Sequence, residues 1–338
     1  MDVNSIDDWV SSNTFATIDE KYIENSYDIL RSLKKSKNLT IGIVIPTLEE
    51  ENTIGNILDI LIQLKKHTQL LDDIMVIDGG SNDNTLNICY SYADDIRLIH
   101  EKNVLTKYDS HKGKGNQLWK GLYSCNTDII IYMDSDLKLF NEMLVVRLIE
   151  PLLSTEHIKF VKGYYGMNPS SDGRVTEICA RPLINLLYPE LAGFIQPLSG
   201  EYAGFANILE KITYSSGYGV EMKILIEIYE KFGINCMGQV NLLKKEHTHQ
   251  SLAVLTKMSH AIIKTMLFRK LDKNSKLNEN VVILKNCTPL LGETVKMRTK
   301  QHVHCNNVGT PMKNEMLKYC ILDDIELPPI EYIISIGL

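Results

Sequence analysis

The sequence lacks the features of disulfide-rich secreted proteins and of membrane proteins. Its seven cysteines are scattered and never form a C-x-x-C pair, so we expect free buried thiols rather than disulfides or a cysteine zinc site. No apolar run approaches the roughly 20 residues of a membrane helix. The polar, acidic residues 1–8 do not have the pattern of a signal peptide. These absences predict a soluble, cytoplasmic protein with no membrane partner.

Positive charge is also scarce, and two nucleotide-binding motifs are missing. The formal net charge is −6, whereas a protein that coats nucleic acid needs a basic surface to bind phosphates, so we expect no nucleic-acid partner. No G-x-G-x-x-G follows the first predicted strand, which argues against a dinucleotide cofactor. The spacing of a Walker loop is absent as well.

The first 150 residues contain short β-branched runs that alternate with segments of helical apolar spacing. Such alternation is typical of an α/β fold with a parallel, doubly wound sheet. The predicted strands are 41–45, 74–77, 96–100 and 128–133, and the predicted helices are 52–64, 82–92 and 116–124.

The pattern changes after about residue 150, where helices dominate. We therefore divide the chain into regions 1–150, 151–270 and 271–338, and we expect a polar, mobile loop at 270–280. The second region is predicted to contain strands 159–164 and 239–243, helices 175–187, 220–232 and 251–267, and a glycine-rich, turn-rich stretch at 197–219.

Three polar clusters follow predicted strands, at 46–50, 78–81 and 134–136. Ligands gather at the carboxyl ends of strands in such sheets. Asp134 and Asp136 suit a hard cation such as Mg²⁺ or Mn²⁺, which can stabilise a leaving diphosphate. A plain Asp-rich turn is the alternative. The other two clusters can accept hydrogen bonds from a base or ribose, or residues such as Asn52 and Ser81 can cap the next helix.

A basic, glycine-rich segment precedes the helix predicted at 116–124. In Lys112-Gly113-Lys114-Gly115, the glycines allow backbone N–H groups to approach an anion, and a lysine adds a point charge for phosphate. The alternative is a solvated basic turn.

Further candidates lie in the second region. Arg174 and Thr176 offer a planar fork and a hydroxyl to a carboxylate or phosphate, unless Arg174 pairs with Glu177 or Asp172. Glu221 can bind sugar hydroxyls or serve only the helix dipole. His247 can supply an imidazole to the metal, and its neighbour His249 leaves the choice between the two open.

In order and spacing, these stretches resemble the glucosyl-3-phosphoglycerate synthases, which are retaining glycosyltransferases of the GT-A fold. The resemblance extends from about residue 40 to about residue 268. The matching stretches are IPTLEEENTI from Ile45, IDGGSNDNT from Ile77, GKGNQLWKGL from Gly113, MDSDL from Met133, GRVTEICARPLINLLYPEL from Gly173, IQPLSGEYAG from Ile195, YGVEMKILIE from Tyr218 and QVNL from Gln239.

The resemblance implies transfer of glucose from a nucleoside-diphosphate glucose to the 2-hydroxyl of 3-phosphoglycerate, with Mg²⁺ or Mn²⁺ and a homodimer. Region 1–150 would be Rossmann-like and bind the nucleotide sugar. Region 151–270 would bind acceptor and metal within the same GT-A domain, and 271–338 would be an extension at the dimer interface. The alternatives are a mannosyl-3-phosphoglycerate synthase that uses GDP-mannose and, from another class, a non-catalytic sugar-nucleotide sensor.

The resemblance also implies residue roles. The catalytic set is Asp134, Asp136, Lys114 and the backbone at Leu198. The nucleotide-sugar set is Pro46, Thr47, Leu48, Glu50, Ser81, Lys114, Asp134, Ser135 and Glu221. The acceptor set is Gly173, Arg174, Val175, Thr176, Lys245 and His249, and the metal ligands are Asp136 and His247. Two positions depart from the family, since Lys245 replaces an arginine and His249 replaces an asparagine, which puts acceptor affinity in question.

Overall fold

The computed structural model describes residues 3–16, 23–108, 113–166, 173–242, 251–273, 295–301, 316–322 and 325–337. Its strands are β1 Thr14–Phe15, β2 Ile41–Thr47, β3 Asp73–Asp78, β4 Arg97–His100, β5 Ile129–Tyr132, β6 Phe160–Tyr164, β7 Tyr202–Phe205, β8 Tyr214–Ser215, β9 Met237–Asn241, β10 Val295–Gln301, β11 Met316–Leu322 and β12 Glu326–Leu327. Its helices are α1 Val3–Asn13, α2 Ile23–Ser36, α3 Ile54–Thr68, α4 Thr85–Tyr90, α5 Lys114–Ser124, α6 Glu142–Ser154, α7 Arg181–Leu187, α8 Ala206–Leu209, α9 Val220–Phe232, α10 Leu252–Lys273 and α11 Ile330–Ser335.

An eight-stranded sheet runs through both of the first two regions, in the order β1-β9-β6-β7-β5-β2-β3-β4. All neighbours in this sheet are parallel except that β7 runs antiparallel to β5 and β6. The predicted α/β class and mostly parallel sheet are therefore confirmed. Strand β7 lies in the stretch that was predicted to be turn-rich. The sequence did not predict a strand there, because the Ala-Gly centre of β7 lacks the alternation of apolar and polar residues.

Alternating side chains of the central strands build a separate core on each face of the sheet. Ile43 of β2 belongs to the core under α2, α3 and α6, whereas Val44 points into the core under α5, α7 and α9. The same alternation separates Ile131 from Tyr132 on β5. Successive residues of a strand face opposite sides, so one apolar strand stabilises both helix layers.

Helix boundaries agree best where an amphipathic pattern is bounded by turn residues. Helix α9 spans the residues predicted for it. The helix predicted at 175–187 instead begins as a π-helical turn, Thr176–Ala180, and continues as α7. Helix α10 continues to Lys273, so the loop predicted from residue 270 is wrong for its first four residues, and 274–280 lie outside the described residues.

The described end of the chain packs on the same body as the sheet. Strand β12 pairs with β8, and Trp119 of α5 donates from Nε1 to the carbonyl of Pro328 at 2.7 Å. Leu327 and Ile330 are buried in the core under α5. Of the helices described, none is both long and apolar enough to cross a membrane.

Candidate functional site

The carboxyl ends of β2 and β5 are bound to each other by two side-chain hydrogen bonds. The Ser135 hydroxyl donates to the carbonyl of Pro46 at 2.7 Å, and the Thr53 hydroxyl donates to the carbonyl of Ser135 at 2.6 Å. Thr47, the last residue of β2, lies opposite Asp78, the last residue of β3. The three polar clusters predicted from separate strand ends therefore meet at one edge of the sheet.

Ser81 joins the second cluster to the first. Its hydroxyl donates to Asp78 Oδ1 at 2.5 Å and accepts from the backbone N–H of Glu49 at 2.9 Å. The capping alternative is wrong for Asn52 and Ser81, because the helices that follow have Thr53 and Asn84 at their N-caps. The loop between β2 and α3 is thus held by side chains of the β3 loop. Its residues Leu48 and Glu49 are exposed toward solvent.

Gln117 is a residue of this site that the sequence pattern did not reveal. Its amide nitrogen donates to the carbonyl of Thr47 at 2.8 Å and to that of Ile77 at 3.1 Å. The side chain is buried in the first turn of α5. It bridges the ends of β2 and β3 and so sets the separation of the two loops. A glutamine in the first turn of a helix carries no recognisable signal for such a contact.

Lys114 is the first residue of α5, and its side chain enters the site. Its ammonium lies 2.5 Å from Asp134 Oδ1 and 2.8 Å from Glu221 Oε1. Gly115 allows the start of α5 to lie close to Ser215, since an added Cβ at position 115 would lie 1.8 Å from the carbonyl oxygen of Ser215. The alternative of a solvated basic turn is therefore wrong for Lys114, whereas Lys112 lies outside the described residues.

The electrostatics of Lys114 favour its charged form. Burial on its own would lower the pKa of this ammonium, but the carboxylates of Asp134 and Glu221 outweigh that effect and hold the pKa well above its usual value. Glu221 is 5% exposed and stands in the first turn of α9, so it both suits the helix dipole and binds a cation. The two readings of Glu221 from the sequence are therefore compatible.

Acidic side chains crowd together beside Lys114. Burial raises the pKa of Glu50 to about 7, and the nearby charges of Asp136 and Asp134 add to this shift. Asp136 itself is exposed at the end of β5. Such crowded oxygen donors suit a hard divalent cation, which would relieve their repulsion. The residues present therefore fit Mg²⁺ or Mn²⁺.

The full set of metal ligands is not within the described residues. Within the ranges that the structure describes, no three His, Cys, Asp or Glu side chains are grouped as a metal site. His247, the second predicted ligand, lies in 243–250, outside those ranges, as do Lys245 and His249. Their roles stay predictions.

The backbone just before β7 borders the carboxylate of Asp134. An added Cβ on Gly200 would lie 2.2 Å from Asp134 Oδ2, so a side chain there would displace that carboxylate. Leu198, two residues earlier, is half-buried against the core under α5. This placement brings the segment predicted to lie near the reacting centre next to Asp134.

The four predicted acceptor residues that are described lie together at the start of the π-helical turn. Val175 and Thr176 are buried, and Arg174 is exposed. The partner first suggested for Arg174 is engaged elsewhere, because Glu177 accepts from Arg181 Nε at 2.9 Å. Gly173, the first described residue after the 167–172 gap, precedes them.

The chain matches a known family model and known structures. The model for glycosyl transferase family 2 matches residues 42–211. A glucosyl-3-phosphoglycerate synthase from Petrotoga mobilis is 40% identical over 275 residues, which is 77% of this chain and 84% of that protein.

Two crystal structures resemble the fold over most of its length. Mannosyl-3-phosphoglycerate synthase from Rubrobacter xylanophilus has a TM-score of 0.77 and 29% identity, covering 96% of this chain and 99% of that one. Glucosyl-3-phosphoglycerate synthase from Mycobacterium tuberculosis, in complex with Mn²⁺, UDP-glucose and phosphoglyceric acid, has a TM-score of 0.73 and 30% identity, covering 90% and 94%. Another structure of that enzyme contains Mg²⁺ and UDP.

Proposed function

Because the chain belongs to glycosyl transferase family 2, in the group of the glucosyl-3-phosphoglycerate synthases, we propose that it transfers glucose from a nucleoside-diphosphate glucose to the 2-hydroxyl of 3-phosphoglycerate. UDP-glucose is the donor we favour, since the Mycobacterium tuberculosis relative was crystallised with it. The products would be glucosyl-3-phosphoglycerate and UDP. Membership of the family makes the chain a glycosyltransferase. What we propose is the identity of its two substrates.

The arrangement of Lys114, Asp134 and Glu221 carries the proposal. One ammonium lies between two carboxylates at the carboxyl edge of the sheet. A nucleoside-diphosphate sugar has the complementary pattern, because its diphosphate is anionic and its sugar hydroxyls donate hydrogen bonds. Lys114 would bind the diphosphate, while Asp134 and Glu221 would accept from the sugar. The nucleotide would be held by the end of β2 and the loops after β2, β3 and β5, through Pro46, Thr47, Leu48, Glu50, Ser81 and Ser135.

Asp136 and His247 would hold Mg²⁺ or Mn²⁺. When bound, the metal supplies Lewis-acid stabilisation of the departing diphosphate. Lys114 adds a fixed positive charge at the same place, and electrostatic stabilisation of this kind is a large part of catalysis.

The acceptor would be bound by Gly173, Arg174, Val175 and Thr176. The guanidinium of Arg174 is a planar fork that suits a phosphate or carboxylate, and it is exposed at the start of the π-helical turn. Lys245 and His249 would complete this site. Fixing the acceptor beside the donor lowers the entropic part of the barrier.

We further propose that the anomeric configuration is retained by attack on the face of the departing diphosphate. The bond from the anomeric carbon to the diphosphate oxygen breaks, and the bond to the acceptor 2-oxygen forms on the same face. The acceptor proton passes to the diphosphate oxygen. The backbone at Leu198 would border the reacting carbon, and no carboxylate serves as a nucleophile. A glycosyl adduct trapped on a carboxylate would contradict this mechanism.

A donor-by-acceptor screen tests the substrates. UDP-glucose, GDP-glucose, ADP-glucose and GDP-mannose are each incubated with Mg²⁺, with and without 3-phosphoglycerate, and release of the nucleoside diphosphate is measured. Release that needs both a glucose donor and 3-phosphoglycerate supports the proposal. Its loss in Asp136→Ala would tie turnover to the metal-ligand position and exclude a non-catalytic sensor.

Mannose transfer is a second candidate, because the Rubrobacter xylanophilus enzyme, a mannosyl-3-phosphoglycerate synthase, matches 96% of the chain. Preferential turnover of GDP-mannose in the same screen would move the assignment there. A homodimer is also proposed, and light scattering of the purified chain tests it. A monomer at micromolar concentration would contradict it.

A further inference from the structure

Lys162 is a buried lysine to which the proposed reaction assigns no role. It lies on β6 with 1% of its surface exposed. Its ammonium has no hydrogen-bond partner within the described part of the chain. It lies over the ring of Tyr202, with 4.4 Å between Nζ and the ring centroid. The register of β6 and β7 places the two residues directly opposite each other.

Packing does not explain a lysine at this position. A buried ammonium without a hydrogen bond loses its hydration, and a contact with an aromatic face restores only part of that loss. Methionine would fill a similar volume with an unbranched, apolar chain and no such penalty. The charge therefore has a reason other than the stability of the core.

Strand β7 connects Lys162 to the candidate site, because Tyr202, which lies opposite Lys162, follows two residues after Gly200, and Gly200 borders Asp134. Burial lowers the pKa of its ammonium to about 7, and the charge of Lys114 contributes, while the carboxylates of Glu221, Glu201 and Asp134 act in the opposite sense. These carboxylates favour the charged form of Lys162, and movement of the Lys114 charge away from them would favour it further.

The proposed reaction creates a need for a second cation there. In the structure, Lys114 neutralises Asp134 and Glu221 together. If Lys114 turns to the diphosphate of the donor, Asp134 and Glu221 lose part of the positive charge that neutralises them. This loss would occur at the moment when the two carboxylates must bind the sugar hydroxyls. Like charges in a partly buried site repel strongly unless a cation is near.

We propose that Lys162 is a positioning residue for the donor sugar. Its charge, over the ring of Tyr202, holds Asp134 and Glu221 in place when Lys114 turns to the diphosphate. The inference rests on the proposed function. It concerns the sugar of the donor alone, because in the proposed function the loops after β2 and β3 would bind the nucleotide. The sugar-bearing donor should therefore depend on Lys162, and the free nucleoside diphosphate should not.

The test compares Lys162→Met with Lys162→Arg in the full chain. Calorimetry with Mn²⁺ measures the affinities for UDP and for UDP-glucose. Steady-state kinetics gives kcat and KM, and thermal unfolding gives Tm. In Lys162→Met we expect UDP-glucose affinity to fall roughly tenfold, as for other residues that orient a binding group from behind. The affinity for UDP should stay at the wild-type value, and the Tm should not fall, because methionine removes the desolvation cost of the buried ammonium. Lys162→Arg should restore most of the UDP-glucose affinity.

Lys159→Met is the matched control. Lys159 also lies over a ring of β7, with 4.8 Å between its Nζ and the centroid of Phe205. Phe205 lies opposite Ile129 at the start of β5, whereas Asp134 follows the end of that strand. We expect Lys159→Met to bind UDP and UDP-glucose with the affinities of the wild type.

Three results would overturn the inference. In the first, Lys162→Met weakens UDP and UDP-glucose equally and lowers Tm, which indicates a structural role. In the second, its UDP-glucose affinity is unchanged. In the third, arginine restores nothing. Failure of the proposed function is distinct, since it shows as a wild-type protein that turns over no sugar donor.

Discussion

Helix α9 takes part in two charge clusters, and their charge balances differ. Near its start, Glu221 and Asp134 share the ammonium of Lys114, so two carboxylates meet one cation. Two turns later, Glu227 is fully buried and contacts three cations, at 3.5 Å for Lys223 Nζ, 3.2 Å for Lys231 Nζ and 2.9 Å for Arg269 Nη2.

The second cluster balances its own charges. Glu230 pairs with Arg269 at 2.7 Å, and Glu326 pairs with Lys223, so three carboxylates meet three cations. Burial opposes the ionised form of Glu227, but the surrounding cations hold its pKa below the usual value. A charge-balanced cluster of this kind contributes to the fold when every partner is present. In the first cluster, the ion pairs given above join two carboxylates to one lysine, an arrangement that suits a metal and sugar hydroxyls.

The largest expected effect is on kcat, which should depend on the first cluster and not on the second. We expect Lys114→Met to lower kcat by roughly 10²- to 10³-fold, because removal of one group that stabilises a developing negative charge typically costs that much. Initial rates at saturating donor measure it. Lys231→Met removes a lysine from the second cluster and is the control, with kcat near wild type. A similar loss in both variants would contradict the distinction.

The next effect separates them by stability. Glu227→Gln leaves three cations around a neutral amide, and we expect the free energy of unfolding to fall by about 3 kcal/mol, as when one partner of a buried ion pair is removed. Urea unfolding measures it. Because the pKa of Glu227 is lowered, its contribution is present above the unfolded-state pKa and is lost as pH falls through the folded-state pKa.

Glu221→Gln is the matched change on the same helix. It removes one of two repelling carboxylates, so we expect a smaller loss of stability than in Glu227→Gln together with weaker binding of the sugar donor. Equal destabilisation by the two substitutions would contradict the distinction between a binding cluster and a stabilising cluster.

The smallest effect concerns Glu50. Its pKa is raised to about 7, so the folded state binds a proton that the unfolded state has already released, and stability falls as pH rises from the unfolded-state value through 7. In the presence of EDTA, Glu50→Gln should therefore raise the free energy of unfolding at pH 8 by about 1 kcal/mol, an estimate reduced for the partial exposure of the side chain. The gain should vanish near pH 4.5, and an equal gain at both pH values would contradict the assignment.

The parallel strands and the amphipathic helices were predictable because their patterns are local. Strand β2 and helix α9 appear where apolar runs and helical spacing place them. Strand β7 was missed, since Tyr-Ala-Gly-Phe becomes a strand only by pairing with β5 and β6. The π-helical turn before α7 was missed as well, because periodicity does not distinguish it from an α-helix.

The sequence alone determined the class of fold, the strand ends at which polar residues gather and the family resemblance. All three follow from short patterns along the chain. The tertiary structure decided which of those residues meet. It brought Lys114 of α5 to Asp134 after β5 and to Glu221 of α9, and it placed Gln117 across two strand ends. It also buried Lys162 against the ring of Tyr202. Contacts between residues distant in the chain depend on how strands are ordered and helices packed, and no local pattern encodes that.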